Sequence, residues 1–268
     1  MAVEEVRQMN KMNVSRILCI GNELLIGEVV NSNAAYIAKF LTKHGYFVDK
    51  ILCIRDDYKA IADEVVAAKR DGVNYLFTTG GLGPTHDDIT IESLSYVLGL
   101  NLVLEERVLH KLKARAEAKG HIFNDAIKKM AYLPEGAKVI PNENGAAPGA
   151  DIISDNLRIF VLPGVPKEMK GMIKGYISSA LPNLGHYYQK KIVLRGIGES
   201  SLAQTLKEIA SNYSDIYIKS HPRVRLGQYY IVIHIYVNNI LSESALKHVK
   251  EAADIIVNRF SQFTKIKK

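Results

Sequence analysis

The stretch Thr79-Gly80-Gly81-Leu82-Gly83-Pro84-Thr85-His86-Asp87-Asp88-Ile89-Thr90 carries the residue types best suited to chemistry in this chain. It follows the apolar run Val73 to Phe77 and precedes a helical pattern with Ile91, Leu94, Val97 and Leu98 on one side. A glycine-rich turn between a strand and a helix presents backbone N–H groups at the positive end of the helix dipole, which suits phosphate. The turn also holds two adjacent carboxylates, which a phosphate site can use only through a metal ion or a proton transfer. That combination points to an enzyme acting on a phosphorylated small molecule.

Each residue type here also has a plainer reading. Thr85-x-x-Asp88 has the form of a helix capping box, in which Asp88 merely satisfies a backbone N–H. Asp87 is the weaker of the acidic pair, since one of two neighbours must point away. His86 could protonate a leaving group near neutral pH or simply be solvated in the turn. Gly80, Gly81 and Gly83 permit positive φ and close backbone approach, although glycine also serves ordinary turns. Neither G-x-G-x-x-G nor G-x-x-x-x-G-K-[ST] occurs, so dinucleotide-fold and P-loop chemistry are not indicated.

The elements that must position this turn alternate. Arg16 to Ile20, Phe47 to Ile54 and Val73 to Phe77 read as strands, and Asn33 to His44 and Tyr58 to Arg70 read as helices. This spacing implies a parallel sheet covered on both faces, with ligands beyond the carboxyl ends of its strands. Gly21 to Gly27, Arg55 to Asp57 and Thr78 to Asp88 should therefore meet there. Asp56 and Asp57 precede a helix, so one of them is expected to cap it. Glu23 is a metal ligand or a cap, and Asn33 binds a ligand or begins its helix. Helical patterns follow at Glu105 to Lys119 and Asp125 to Tyr132, then a loop-rich section from Leu133 to Gly149. Arg158 to Leu162 is another buried strand, ending in Pro163-Gly164-Val165-Pro166, which shapes the wall beneath the phosphates. Lys167 to Ala180 is helical, with Lys167 and Glu168 starting it.

The cluster Pro182-Asn183-Leu184-Gly185 marks a boundary. Beyond it come a strand (Lys190 to Arg195), a helix (Ser200 to Ala210), a short strand (Ile216 to Lys219), the alternating run Gln228 to Val237 and a long helix (Ser242 to Phe260). The order βαββα describes a small α+β domain.

The chain's 268 residues suffice for one large domain or two ordinary ones, and 47% hydrophobic with 24% charged residues is ordinary for a globular protein. No apolar run reaches the roughly 20 residues that span a bilayer. The polar stretch Met1 to Ser15 lacks a signal core, so a cytoplasmic location is expected. Cys19 and Cys53 fall in apolar strand-like runs, as buried free thiols do. The net charge of +7 suits either nucleic acid or phosphorylated metabolites, and the basic residues are mostly interspersed with acids.

Four motifs in order resemble the molybdopterin-binding domain superfamily, and within it the competence- and damage-inducible (CinA) family. They are Gly21-Asn22-Glu23-Leu24-Leu25-Ile26-Gly27 with Asn31-Ser32-Asn33-Ala34, Thr79 to Thr90, Leu133 to Gly149, and Leu162-Pro163-Gly164-Val165-Pro166-Lys167-Glu168-Met169. The resemblance implies an α/β three-layer sandwich with a mostly parallel sheet over residues 14–183. It further implies that residues 187–264 form the KH-type domain that follows in that family. The family's amidase part is expected to be absent, because the chain ends at Lys268.

The resemblance also implies a nucleotide or pterin phosphate ligand. CinA-like domains are associated with metal-dependent hydrolysis of the pyrophosphate of ADP-ribose, and relatives in molybdenum cofactor synthesis adenylylate molybdopterin or insert its metal. The two aspartates that matter for catalysis in those relatives fall, by position, on Asp56 and Asp88. The expected roles are then catalysis by Asp88 and Asp56, and phosphate or nucleotide binding by Gly80, Gly81, Gly83, Thr85, Asn33 and Gly164. A divalent metal (Mg, Mn or Co) would be held by Asp88, Asp87 and Glu23. A homo-oligomer, dimer or trimer, is expected. Nucleic acid is not expected, since no G-x-x-G loop lies between the helix and strand of the second domain.

Overall fold

A computed structural model describes residues 13–185, 187–237 and 243–263. Of the expected features, residues 1–12 of the polar N-terminal stretch, Ser242 and Thr264 lie outside the described residues. The chain divides into two units. One holds the described residues up to Leu41 with Tyr46–Pro182, and the other holds Thr42–Gly45 with the described residues from Asn183 onward. Among the described residues no helix is long and apolar enough to cross a membrane.

The first unit contains strands β1 (Val14–Ile20), β2 (Phe47–Ile54), β3 (Tyr75–Thr79), β4 (Leu102–Leu104), β5 (Tyr132–Pro134), β6 (Lys138–Ile140), β7 (Gly149–Ser154) and β8 (Leu157–Leu162). Its helices are α1 (Asn22–Leu25), α2 (Ser32–Lys43), α3 (Tyr58–Arg70), α4 (Thr90–Leu98), α5 (Glu106–Ala118), α6 (Asp125–Lys129), α7 (Pro166–Met172) and α8 (Ser178–Ala180). Six strands form one sheet in the order β2-β1-β3-β8-β7-β6. The four strands β2, β1, β3 and β8 are parallel, while β7 and β6 join antiparallel at one edge. The architecture is the expected α/β one with a mostly parallel sheet.

Side chains alternate across the sheet. Leu18, Ile20, Leu76, Ile159 and Val161 pack with Ile61, Val65 and Ala68 of α3, Leu94 of α4 and Leu109 and Leu112 of α5. Ile17, Cys19, Phe77 and Phe160 point the other way and are wholly buried, the two rings stacking at 5.0 Å between centroids. Arg16, 1% exposed, is the one cation inside β1; its guanidinium reaches Asp49 on β2 at 2.5 Å and Asp71 after α3 at 2.8 Å.

Several expectations need correction. The helix expected over Asp125 to Tyr132 ends at Lys129, and Tyr132 opens β5, which pairs with β4. Cys53 is exposed rather than buried, because β2 is an edge strand that leaves Phe47 and Ile51 about half exposed as well. The third strand ends at Thr79 instead of Phe77, since Thr78 and Thr79 pair with Val161 and Leu162. The helix expected over Lys167 to Ala180 is interrupted by a π-helical turn, Ile173–Ile177, between α7 and α8. That turn carries Tyr176, whose hydroxyl donates to Asp151 at 2.8 Å.

The second unit contains β9 (Tyr188–Arg195), α9 (Ser200–Asn212), β10 (Tyr217–Arg225), β11 (Gln228–Val237) and α10 (Glu243–Arg259). Its sheet, in the order β10-β11-β9, is antiparallel throughout. Ile231, Ile233 and Ile235 of β11 and Ile192 and Leu194 of β9 pack against Leu202 and Ile209 of α9 and Val249, Ala252 and Ile256 of α10. The βαββα order is as expected. β10 is much longer than the expected Ile216 to Lys219, and Pro222 is tolerated in it because β10 is an edge strand.

Candidate active site

The carboxyl ends of the parallel strands converge on a cleft of about 490 Å³. The loop after β1 contributes Gly21 and Glu23, the one after β2 Asp56, and the one after β3 Gly80 to Thr85 with Asp87 and Asp88. Gly164 and Val165 after β8, with Ala146 and Ala147 before β7, close the wall. The three segments expected to meet thus do so, and two further loops join them.

The glycine turn is built by close approach. Gly80 has φ +112 and a side chain there would run into the Ile20 carbonyl; Gly81 has φ +65 and a side chain would meet the Thr90 hydroxyl. Thr90 in turn donates to the Gly80 carbonyl at 3.0 Å, and its N–H donates to the Gly81 carbonyl at 3.2 Å. Among the described residues the amides of Gly81, Leu82 and Gly83 donate to no protein acceptor. They border the cleft and are available to an anion.

The structure separates the carboxylates by role. Asp57 caps α3, accepting from the Ala60 N–H at 2.9 Å. Asp56 faces the cleft and accepts from the Asn22 N–H at 2.9 Å. Burial pushes the Asp56 carboxyl up, the Asn22 N–H opposes this, and the nearby Glu23 and Asp87 charges add to the rise. Asp87 is held low, chiefly by the Thr85 hydroxyl at 2.5 Å. Asp88 accepts from the Thr85 N–H at 2.9 Å and shares the single Thr85 hydroxyl proton with Asp87. That is half of a capping box, but α4 begins only at Thr90 with Ile89 at its cap position, so Asp88 braces a turn and caps no helix. Glu23 lies over Gly21 in the first turn of α1.

Two site residues sit apart from the cleft surface. Asn33 is buried, and its Nδ2 donates to Thr79 Oγ1 at 2.9 Å and to the Gly164 carbonyl at 2.7 Å. It therefore clamps the ends of β3 and β8, while its Oδ1 has no partner among the described residues. His86 is 98% exposed and stands outside the cleft lining.

Sequence reasoning passed over Lys129 and gave Glu168 only a helix-starting role. Lys129 donates to the Thr85 carbonyl at 3.2 Å and pairs with Glu92 at 3.5 Å, so it braces the turn, and its charge helps hold Asp87 low. Glu168 lines the cleft and accepts from Asn142 at 2.7 Å. It lies in the first turn of α7, directly after a Pro-Gly-Val-Pro turn at a parallel strand's end, and that position is the signal that could have placed it. A second cavity of about 420 Å³ shares Gly81, Leu82, Gly83, Asp88 and Met130 with the cleft and adds Tyr132, Leu133, Lys128 and Lys129.

The donor set bears on a metal. Among the described residues no three His, Cys, Asp or Glu side chains form a preformed cage. Instead Glu23, Asp56, Asp87, Asp88 and Glu168 ring the cleft, and among the described residues no Lys or Arg lines it. A hard cation of the Mg²⁺ type needs only one or two carboxylates when phosphate oxygens and water complete its shell, and the residues fit that mode.

A family model described as a probable molybdopterin binding domain matches residues 16–183. The chain belongs to that family. Among its relatives, a protein of Thermococcus kodakarensis is 42% identical over 221 residues, 78% of this chain and 85% of its own length. A protein of Caldivirga maquilingensis is 37% identical over 252 residues, 91% and 95% of the two chains. The crystal structure of CinA from Thermoplasma acidophilum, a protein of unknown function, superposes with a TM-score of 0.59 at 32% identity. It covers 64% of this chain and 99% of that one.

Proposed function

We propose that the first unit is a divalent-metal-dependent hydrolase that cleaves a nucleotide pyrophosphate of the ADP-ribose type. The observation that carries this reading is the pairing of unclaimed amides at Gly81 to Gly83 with a ring of carboxylates and no lining cation. The dianionic pyrophosphate would be repelled by that ring unless a bound cation offset it. A bound Mg²⁺, Mn²⁺ or Co²⁺ would supply charge neutralisation and activation of water. One or two of Asp87, held ionised, Asp88 and Glu23 would provide its protein oxygens.

Asp56, with its raised pKa, takes the proton of the attacking water. The water oxygen bonds to one phosphorus, the bridging P–O bond breaks, and the bridging oxygen leaves with the other phosphate. From ADP-ribose the products are AMP and ribose phosphate. The opposite shifts of Asp56 and Asp87 suit one carboxyl to proton transfer and the other to charge. The exposed apolar residues Ile26 and Val30, 75% and 86% accessible, support an oligomer. Incubation with ADP-ribose and each metal is expected to yield AMP; no product with any of the three metals rejects the proposal.

A second reading, transfer or binding at a molybdopterin phosphate, is favoured by the family match over residues 16–183. Co-purifying pterin fluorescence with no ADP-ribose turnover would select it.

A further inference from the structure

The second unit carries a surface that the hydrolase reading leaves unused. One face of its sheet packs on α9 and α10; the opposite face presents four positions on each of three strands. Along the middle strand these are Tyr230, Val232, His234 and Tyr236, all partly exposed. Arg223 and Arg195 flank Tyr230 in register, and Lys219 and Lys191 flank His234. The four flanking cations are exposed. The remaining positions are Tyr217, His221, Gln189 and Val193, so no acidic residue occupies this face.

The result is an aromatic ridge between two basic rails. The Arg195 guanidinium lies 5.9 Å from the centre of the Tyr230 ring, and Tyr236 makes tilted ring contacts with Tyr217 at 4.7 Å and His234 at 5.0 Å. A cavity of about 1220 Å³ runs along the β9 edge beside this face. Lys191, Arg195, Tyr230, Arg225 and Lys250 line it, with Asp254 as its one acid. Small-molecule pockets span roughly 300–1,000 Å³, so the space suits a longer ligand.

We propose that this face binds single-stranded nucleic acid, its bases stacking on Tyr230 and the neighbouring rings and its phosphates following the Arg223/Lys219 and Arg195/Lys191 rails. Sequence-tolerant binding of single strands combines these two elements, a basic track and aromatic platforms. An acidic polypeptide would use the rails but leave the ridge unpaired, which favours the nucleic acid. The missing G-x-x-G loop removes a different mode of RNA binding, one that grips the backbone through a loop. The sheet face needs no such loop.

The test is fluorescence anisotropy of labelled oligouridylate and oligothymidylate, each about 12 nucleotides long to match a typical single-strand site, with the full chain at two salt concentrations. Binding is expected to weaken at least about tenfold between about 50 and 200 mM salt. Tyr230→Ala is expected to weaken it about tenfold. Arg195→Gln and Arg223→Gln should each reduce the slope of log affinity against log salt by about 0.7. Lys207→Gln on α9 and Asp88→Asn should leave binding unchanged, and thermal melts identify any variant that has lost its fold. The arginine variants, at exposed positions, remain informative if Tyr230→Ala unfolds. Absence of binding at low salt overturns the proposal, as does binding that no face variant diminishes. Variants that alter the sedimentation of the protein but not oligonucleotide binding would assign the face to contact between copies instead.

Discussion

Four aspartates in two adjacent pairs divide by what each side chain touches. Asp57 satisfies a helix N–H, Asp56 faces the cleft, Asp87 binds the Thr85 hydroxyl, and Asp88 braces the Thr85 backbone. Asp57→Ala should therefore cost about 1 kcal/mol in urea unfolding while turnover is retained. Asp88→Asn keeps an oxygen for the Thr85 N–H but removes the charge. Turnover of ADP-ribose should fall at least about 100-fold with Tm within about 2 °C of the parent. A matching loss of stability would return Asp88 to a purely structural role. Asp56 gives a pH test. Its folded-state pKa is raised, so the folded chain holds the proton more tightly than the unfolded chain. Stability from this group is present below the ordinary Asp range and is lost as pH rises through the raised value. Asp56→Asn, which still accepts from Asn22, should be more stable than the parent at about pH 7, and the gain should vanish at about pH 3. Urea titrations at the two pH values check this. The sequence showed that one of Asp56 and Asp57 would cap a helix; which one depends on backbone direction at the end of β2.

At the scale of elements, the parallel strands β1, β2, β3 and β8 were legible because each carries at least four consecutive apolar or β-branched residues, whatever polar residues precede them. β7 was not, although Ala150 and Ile152 are buried in it. Its Asp151, 2% exposed, breaks the apolar pattern and looks like a loop residue. In the structure Arg158 of β8 grips that carboxylate through two nitrogens at 2.9 and 2.7 Å, and Tyr176 adds a third donor. Asp151→Ala would strand the guanidinium and should destabilise the first unit by about 3–5 kcal/mol, measured by urea unfolding. A cost under about 1 kcal/mol would mean that water replaces the carboxylate freely. The three-residue strands β4, β5 and β6 escaped notice for a simpler reason: their length leaves no period to detect.

At the scale of the whole molecule, two units carry two kinds of surface, an acidic cleft in the first and a basic aromatic face in the second. The net charge of +7 blurs them into one mildly basic chain. The cleft makes a prediction that charge alone would invert: phosphate ligands should stabilise the protein only with a divalent cation present. ADP-ribose at about 100 times its Kd should add about 2.7 kcal/mol of stability with Mg²⁺ or Mn²⁺, seen as a rise in Tm, and nothing with chelator. An equal rise in both conditions would argue against metal-bridged binding. The sequence by itself determined the parallel strands β1, β2, β3 and β8, the glycine turn and the two acidic pairs, because apolar period and turn chemistry act over a few neighbouring residues. Only the tertiary structure decided that Glu168 and the loop before β7 reach the cleft, that Asn33 clamps two strand ends, and that the cations of β9 and β10 flank one aromatic ridge. Those placements follow from strand order and register, which bring together residues far apart in the chain.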